Sequence, residues 1–134
     1  MSLERTDEYG QIKLNDNIFA RIILEAVAKT DGRFLCATEK GKYPGGLDHK
    51  VSVGELIPHI KIYENDEEYC LDFYIIMTFG SSIRENCKIV QDYIEKEMKA
   101  MFPDKGGRIL LKIVGVKSKR IAARSIEVVR KYEA

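Results

Sequence analysis

The chain has 134 residues, of which 45% are hydrophobic and 32% are charged. This is the size and composition of one globular domain, and it excludes a mainly disordered chain. The 22 lysines and arginines nearly balance the 21 aspartates and glutamates, which excludes a uniformly basic nucleic-acid binder and a strongly acidic protein. No apolar run is long enough to cross a bilayer, and we expect the polar N-terminus not to be a signal peptide.

The first half of the chain is predicted to contain two strands and one helix. Residues 1–9 are polar and are expected to be frayed, and residues 11–14 form a short strand. Apolar residues at helical spacing predict a helix over residues 18–27, which Asp31 and Gly32 end. Residues 33–37 are predicted to form a second strand. Glycine, proline and lysine predict a loop at residues 38–46, and the pattern at residues 51–57 is undecided.

The middle of the chain is predicted to form a hairpin. Residues 59–63 alternate polar and apolar side chains, residues 64–68 form a turn, and residues 69–79 alternate again. Asp72 lies on the polar side of the second strand. The apolar side, which is expected to be buried, contains Tyr69, Leu71, Phe73, Ile75, Met77 and Phe79.

A second helix and a last strand follow. Gly80 breaks the preceding strand, and Ser82 and Glu85 match a capping box in which each side chain bonds a backbone amide of the other. The apolar stripe continues to Met101. Residues 108–116 are nearly all apolar, which is typical of a strand in the middle of a sheet.

The tail, residues 118–134, is amphipathic and is predicted to be a helix, although residues 126–129 are also compatible with a strand. The predicted fold is α+β. Two helices cover one face of a small mixed sheet within residues 10–117, and an extra C-terminal amphipathic helix follows.

The sequence shows no arrangement of residues typical of a catalytic site. His49 and His59 have no metal-ligand spacing, and the cysteines (Cys36, Cys70 and Cys87) lack Cys-x-x-Cys spacing, which favours free thiols in a reducing cytoplasm. The strongest functional signal is charge. From Lys117 onward there are six basic and two acidic residues, a net charge of +4 against −3 for the rest of the chain. The alternative is that the tail only covers the core. The candidate partner-binding residues are Lys117, Lys119, Arg120, Arg124, Arg130 and Lys131.

Residues 71–83 resemble the alkaline-shock-protein family of Gram-positive bacteria. The similar features are an acidic residue in an apolar strand, a glycine, and an isoleucine that opens a helix, here Asp72, Gly80 and Ile83. Residues 10–14, 18–27, 90–94 and 113–116 are also similar, so the resemblance covers about residues 10–117. The structural motif comprises Asp72, Gly80, Ser82, Glu85 and Gly115.

The resemblance implies a non-enzymatic cytoplasmic protein linked to cell-envelope stress. It implies self-association or a protein partner, and possible recruitment to the membrane by an anchored partner. We expect no cofactor, metal or small-molecule substrate. The alternative hypothesis is a small nucleic-acid-binding module that uses the tail together with Lys40, Lys42, Lys105 and Arg108. A third is an enzyme or a thiol-based sensor.

Overall fold

The computed structural model describes residues 2–7, 10–46 and 50–134. Strands β1 (Ser2–Asp7) and β2 (Gly10–Asn15) pair antiparallel at the N-terminus. The expected fraying is therefore wrong for Ser2–Asp7. Composition suggested a polar, solvated segment, but an antiparallel neighbour satisfies its backbone groups. Residues 1, 8 and 9 of the segment expected to be frayed lie outside the described residues.

Helix α1 (Asp16–Ala28) and strand β3 (Phe34–Ala37) confirm the predicted elements. The turn between them uses two consecutive residues with positive φ, Asp31 at 53° and Gly32 at 82°. Thr30 is buried there, and its hydroxyl donates to a carbonyl of α1 at 2.7 Å and accepts from the first amide of β3 at 3.0 Å. These bonds join the end of the helix to the start of the strand.

The undecided stretch forms the short helix α2 (Val53–Leu56), followed by a 3-10 turn at Ile57–His59. Ser52 accepts from the Glu55 amide at 3.2 Å, and the Ser52 amide donates to the Glu55 carboxylate at 3.0 Å. This is a complete capping box, which the sequence prediction missed.

The main sheet has five strands, and β5 (Glu68–Thr78) pairs with three of them. β3 and β4 (Lys61–Glu64) share one edge of β5 and run antiparallel to it. β6 (Gly106–Lys117) pairs with the other edge in parallel, and β7 (Ile121–Tyr132) pairs antiparallel to β6 as the outermost strand. The mixed sheet and the central position of β6 are confirmed. β4 begins two residues later than predicted because the 3-10 turn takes in His59.

Helix α3 (Ile83–Met101) connects the parallel strands β5 and β6, a connection that requires a crossover. α1 and α3 pack on one side of the sheet, which we call the helix face; the opposite side is the open face. The predicted α+β class with two helices on one face is confirmed. The largest fully buried side chains include Phe19, Ile23, Phe34, Phe73, Ile75, Ile94, Met98 and Phe102.

The buried alternation of β5 ends earlier than predicted. Tyr69, Leu71, Phe73, Ile75 and Met77 are buried on the helix face, but the Phe79 side chain is 78% exposed. β5 ends at Thr78, and Gly80 turns the chain with a φ of 84°. The Phe79 amide still donates to the Lys117 carbonyl of β6 at 2.8 Å, but the chain turns directly after it and the side chain points to solvent.

The C-terminal helix prediction is wrong, because residues 121–132 form strand β7. Ile126, Val128 and Tyr132 face the helix side and pack on the main core. The same residues also fit a helical pattern, so their spacing alone is ambiguous. β6 decides between the two, because its second edge would leave a row of backbone groups unpaired in an apolar strand.

Candidate interaction surface

The six basic residues predicted to bind a partner do not share one surface. Successive strand residues point to opposite faces, so β7 separates Arg130 on the helix face from Lys131 on the open face. The other four lie around the β6–β7 turn: Lys117, Lys119, Arg120 and Arg124.

Arg130 is an anchor between β7 and α3. Its Nη1 atom donates to the Asp92 carboxylate at 2.8 Å and lies 3.5 Å from a Glu95 carboxylate oxygen. The hydrogen bond from Lys88, together with that from Arg130, lowers the pKa of the Asp92 carboxyl below its usual value. Arg130 therefore contributes to the fold.

The loop at residues 38–46 brings two further cations to the β6–β7 turn. Lys40 and Lys42 line a shallow cavity together with Ile121 and Ala123. A Cβ atom on Gly41 would lie 3.4 Å from the Val114 carbonyl oxygen, which shows how closely the loop approaches β6. We call this surface the basic end; it comprises Lys40, Lys42, Lys117, Lys119, Arg120 and Arg124.

Lys105 and Arg108, the other two cations of the nucleic-acid hypothesis, lie away from the basic end. Lys105 forms an ion pair with Glu64 at 2.8 Å, and Arg108 donates to the Tyr63 hydroxyl. Both are at the opposite end of β6, near its first residues. The structure thus brings together only part of that predicted set.

Asp72 lies on the open face between Lys61 of β4 and Leu110 of β6. It is half-buried, and its Oδ1 atom has no hydrogen-bond partner. Burial raises the pKa of the Asp72 carboxyl, while Arg108 and Lys61 act in the opposite direction. The carboxylate is therefore less stable here than in water.

The remaining motif residues shape the backbone. Ser82 accepts a hydrogen bond from the Glu85 amide at 3.1 Å and caps α3. Gly115 lies where the β6–β7 register shifts, and a Cβ atom there would come within 2.6 Å of the Ile121 side chain. Glycine at 115 is thus explained by close packing against β7.

Tyr132 is a structural residue that the sequence prediction placed in the tail helix. It is 9% exposed and packs on the first residues of β6. A Cβ atom on Gly107 would lie 2.4 Å from the Tyr132 hydroxyl oxygen, and one on Gly106 would lie 2.1 Å from its carbonyl oxygen. No local pattern predicts this role of Gly107, because the contact comes from a residue 25 positions away.

The three cysteines are buried and free. Burial raises the pKa of Cys36 to about 12 and that of Cys87 to about 11. Burial, followed by the nearby Glu68 carboxylate, also raises the pKa of Cys70. Thiolates are the reactive form of cysteine, so these environments oppose thiol chemistry.

Other potential ligand sites are limited in the described part of the chain. It contains no group of three or more histidine, cysteine, aspartate or glutamate side chains that would suit a metal ion. His59 lies in the 3-10 turn, and His49 is outside the described residues. A mainly apolar cavity of about 250 Å³ lies between α1 and β3, and its polar lining residues include Tyr43 and Lys50.

A family comparison identifies the broader class of the protein. The model of the alkaline shock protein 23 family, described as having a cell envelope-related function, matches residues 4–118. The chain belongs to the alkaline shock protein family. The match runs from β1 through β6 and ends in the β6–β7 turn, so it confirms the resemblance and leaves β7 outside.

No curated protein and no solved structure gives a significant match to this member of the alkaline shock protein family. None of the helices in the described ranges combines the length and apolar character that a bilayer span requires.

Proposed function

We propose that this alkaline shock family member is a non-enzymatic cytoplasmic interaction protein linked to cell-envelope stress. It acts by self-association or by docking to a protein partner, and any membrane association is indirect, through an anchored partner. The observation that carries the proposal is β7, a 12-residue outermost strand. The free backbone groups of an edge strand are a template for pairing with another chain.

The environment of the thiols supports an interaction role over the sensor hypothesis. A redox-sensing cysteine needs an accessible thiol with a lowered pKa. Cys36 and Cys87 are buried, and their pKa values are raised to about 12 and about 11, respectively.

Sedimentation velocity over a concentration series tests self-association, and affinity capture from the native organism under envelope stress tests partner binding. Both experiments should use the full chain, because β7 is part of the sheet and a variant without residues 118–134 would lose core contacts. We expect a concentration-dependent increase in sedimentation coefficient or a reproducible protein partner. A strict monomer that also captures no partner would contradict the proposal.

The basic end supports nucleic-acid binding as a second candidate function. Its six cations lie around one turn and one loop, and phosphate contacts by such groups release counterions. Lys119→Glu is expected to weaken binding to a short duplex at low salt, whereas the matched change Lys96→Glu, on the exposed side of α3, is expected to have little effect. Absence of a gel shift at low salt would eliminate this candidate.

A further inference from the structure

The outer edge of β7 is the longest unpaired strand edge in the described main sheet. The opposite edge consists of β3 and β4, which have four residues each. Natural edge strands are commonly protected by short length, proline, bulges or charges. β7 has 12 residues and contains no proline.

The second half of β7 is the part suited to pairing. Residues 126–132 pair with β6 in an unbroken register. In the first half of β7, the pairing is disturbed by a shift in register between Ile113 and Gly115 of β6. Arg130 does not protect this stretch, because its guanidinium is bound to Asp92 and Glu95 on α3. A regular, accessible ladder therefore extends from Ile126 to Tyr132.

On the open face, this stretch presents a short charge pattern around an apolar centre. Glu127, Val129 and Lys131 point to that face, opposite Lys112, Leu110 and Arg108 of β6. Val129 is 49% exposed, and within residues 16–46 and 50–134 only Phe79 is another exposed large hydrophobic side chain. A strand that pairs with this edge should cover Val129, place a positive charge opposite Glu127 and place a negative charge opposite Lys131.

A second copy of the chain meets both conditions in one register. A twofold axis normal to the sheet pairs antiparallel strands so that opposed residues point to the same face. A residue of one copy must then lie opposite either the same residue of the other copy or one whose number differs by an even amount. With Val129 on the axis, Val129 meets its own copy, and Glu127 of each chain faces Lys131 of the other.

The helix face agrees with this register. Ile126 faces Tyr132 of the other copy, which forms an aliphatic–aromatic cross-strand pair of a favourable kind. Val128 faces Arg130, whose charge is already compensated within its own chain. The nearby α3 carboxylates are paired as well, Asp92 with Lys88 at 2.8 Å and Glu95 with Lys99 at 3.3 Å.

The other symmetric registers in this stretch are less favourable. An axis at Glu127, Arg130 or Lys131 places like charges directly opposite each other, which is destabilising. With the axis at Val128, Glu127 of one copy lies opposite Val129 of the other, and no ion pair forms. An axis at Ile126 extends the ladder into the irregular segment that contains Arg124.

We propose that two copies of this chain associate through β7 in an antiparallel, twofold-symmetric pairing centred on Val129, with reciprocal Glu127–Lys131 ion pairs. The two five-stranded sheets then form one continuous sheet of ten strands. This inference rests on the proposed function and specifies the surface by which the chain self-associates. The interface is isologous, so it closes as a dimer and covers the regular half of the β7 edge, from Ile126 to Tyr132.

Charge exchange at Glu127 and Lys131 tests the register. In a dimer of the Lys131→Glu variant, both Glu127–Lys131 ion pairs become repulsive pairs of two glutamates. In a dimer of the Glu127→Lys variant, both become repulsive pairs of two lysines. Two changes from attraction to repulsion are expected to raise the dimer dissociation constant about tenfold or more, measured by sedimentation velocity. An equimolar mixture of the two variants restores both opposite-charge pairs and is expected to regain wild-type affinity.

Controls separate this effect from changes in net charge and in folding. Lys119→Glu and Glu67→Lys make the same charge changes at exposed positions outside the paired stretch, and they are expected to leave dimerisation unchanged. Circular dichroism and thermal melts check that every variant is folded. Lys112 lies 3.8 Å from Glu127 within the chain, so Glu127→Lys is interpreted only together with the mixture.

Three results would overturn the inference: a wild-type monomer throughout the concentration range, a dimer insensitive to both exchanges, or single-variant losses that mixing does not repair. The proposed function survives each of these results if the full chain still captures a specific protein partner, or if it self-associates through another surface. The inference and the proposed function fail together only if neither occurs.

Discussion

Gly107→Ala tests whether β7 is held against β6 by the packing of Tyr132. The added methyl carbon would lie 2.4 Å from the tyrosine hydroxyl oxygen, 2.5 Å from Cζ and 2.7 Å from Cε1. All three distances are well inside normal van der Waals contact of about 3.5–4.0 Å. Tyr132 is 9% exposed, so its ring must move out of a packed position, or the two strands must separate.

The expected loss of stability follows from two opposing terms. Overpacking a well-packed site costs about 1–3 kcal/mol. Alanine is favoured over glycine within a strand by about 0.5–1 kcal/mol because it loses less backbone entropy. We therefore expect Gly107→Ala to lower the free energy of unfolding by about 1 kcal/mol, with an upper bound of about 2.5 kcal/mol, against a typical total of about 5–15 kcal/mol.

Equilibrium urea unfolding followed by circular dichroism measures this change as a lower midpoint with an unchanged slope. Gly54→Ala in α2 is a matched control, because nothing lies within 4 Å of the new methyl group; it is expected to cause no loss. In a Tyr132→Ala background, Gly107→Ala should also cause no loss. An equal loss in both backgrounds would refute the proposed clash.

Three further predictions concern the carboxylate, the last strand and the thiols. Burial raises the pKa of Asp72 in the folded state, so folding favours the protonated form and stability falls as the carboxyl ionises. Asp72→Asn is therefore expected to raise the urea midpoint near neutral pH, with a gain that shrinks as the pH falls toward 3.8. A chain ending at Lys117 is expected to lose cooperative thermal unfolding, because β6 loses the partner on its outer edge and the core loses Tyr132. A thiol-specific reagent at mildly alkaline pH is expected to label Cys36 and Cys87 only slowly until urea is added, because burial raises their pKa values.

Each of these predictions has a result that contradicts it. A destabilised Asp72→Asn variant at neutral pH would indicate that the Arg108 and Lys61 charges outweigh burial. Cooperative melting of the shortened chain would show that β7 is dispensable for folding. Rapid labelling of native Cys36 or Cys87 would indicate that the thiols open to solvent far more readily than their packing implies.

The elements that sequence predicts well are those with a strong local signal. The turn after α1 uses positive φ at Asp31 and Gly32, a conformation that favours glycine and tolerates aspartate. Every second residue of β5 from Tyr69 to Met77 is apolar and buried on the helix face, so the pattern shows both the strand and that face. α3 begins at the cap formed by Ser82. In each case the deciding interaction lies within a few residues along the chain.

The candidate site was predicted less well because it depends on distant contacts. The basic residues of the tail share one surface of the predicted helix, but in β7 Arg130 points to α3 and Lys131 points to the open face. Lys40 and Lys42 lie near the cations of the tail because the loop that contains them, residues 38–46, packs beside Val114. No local spacing shows that approach.

Local sequence signals suffice to predict the α+β class, the family resemblance, two helices, and the main strands from β2 to β6. Their signals are periodicity, caps and turn residues, which act within one element. Tertiary structure alone decided that the tail is a strand and that Gly106 and Gly107 make room for Tyr132. It also makes β7 the longest unpaired strand edge in the described main sheet. The physical reason is that an amphipathic segment fits either a helix or a strand, and the unpaired edge of β6 selects the strand.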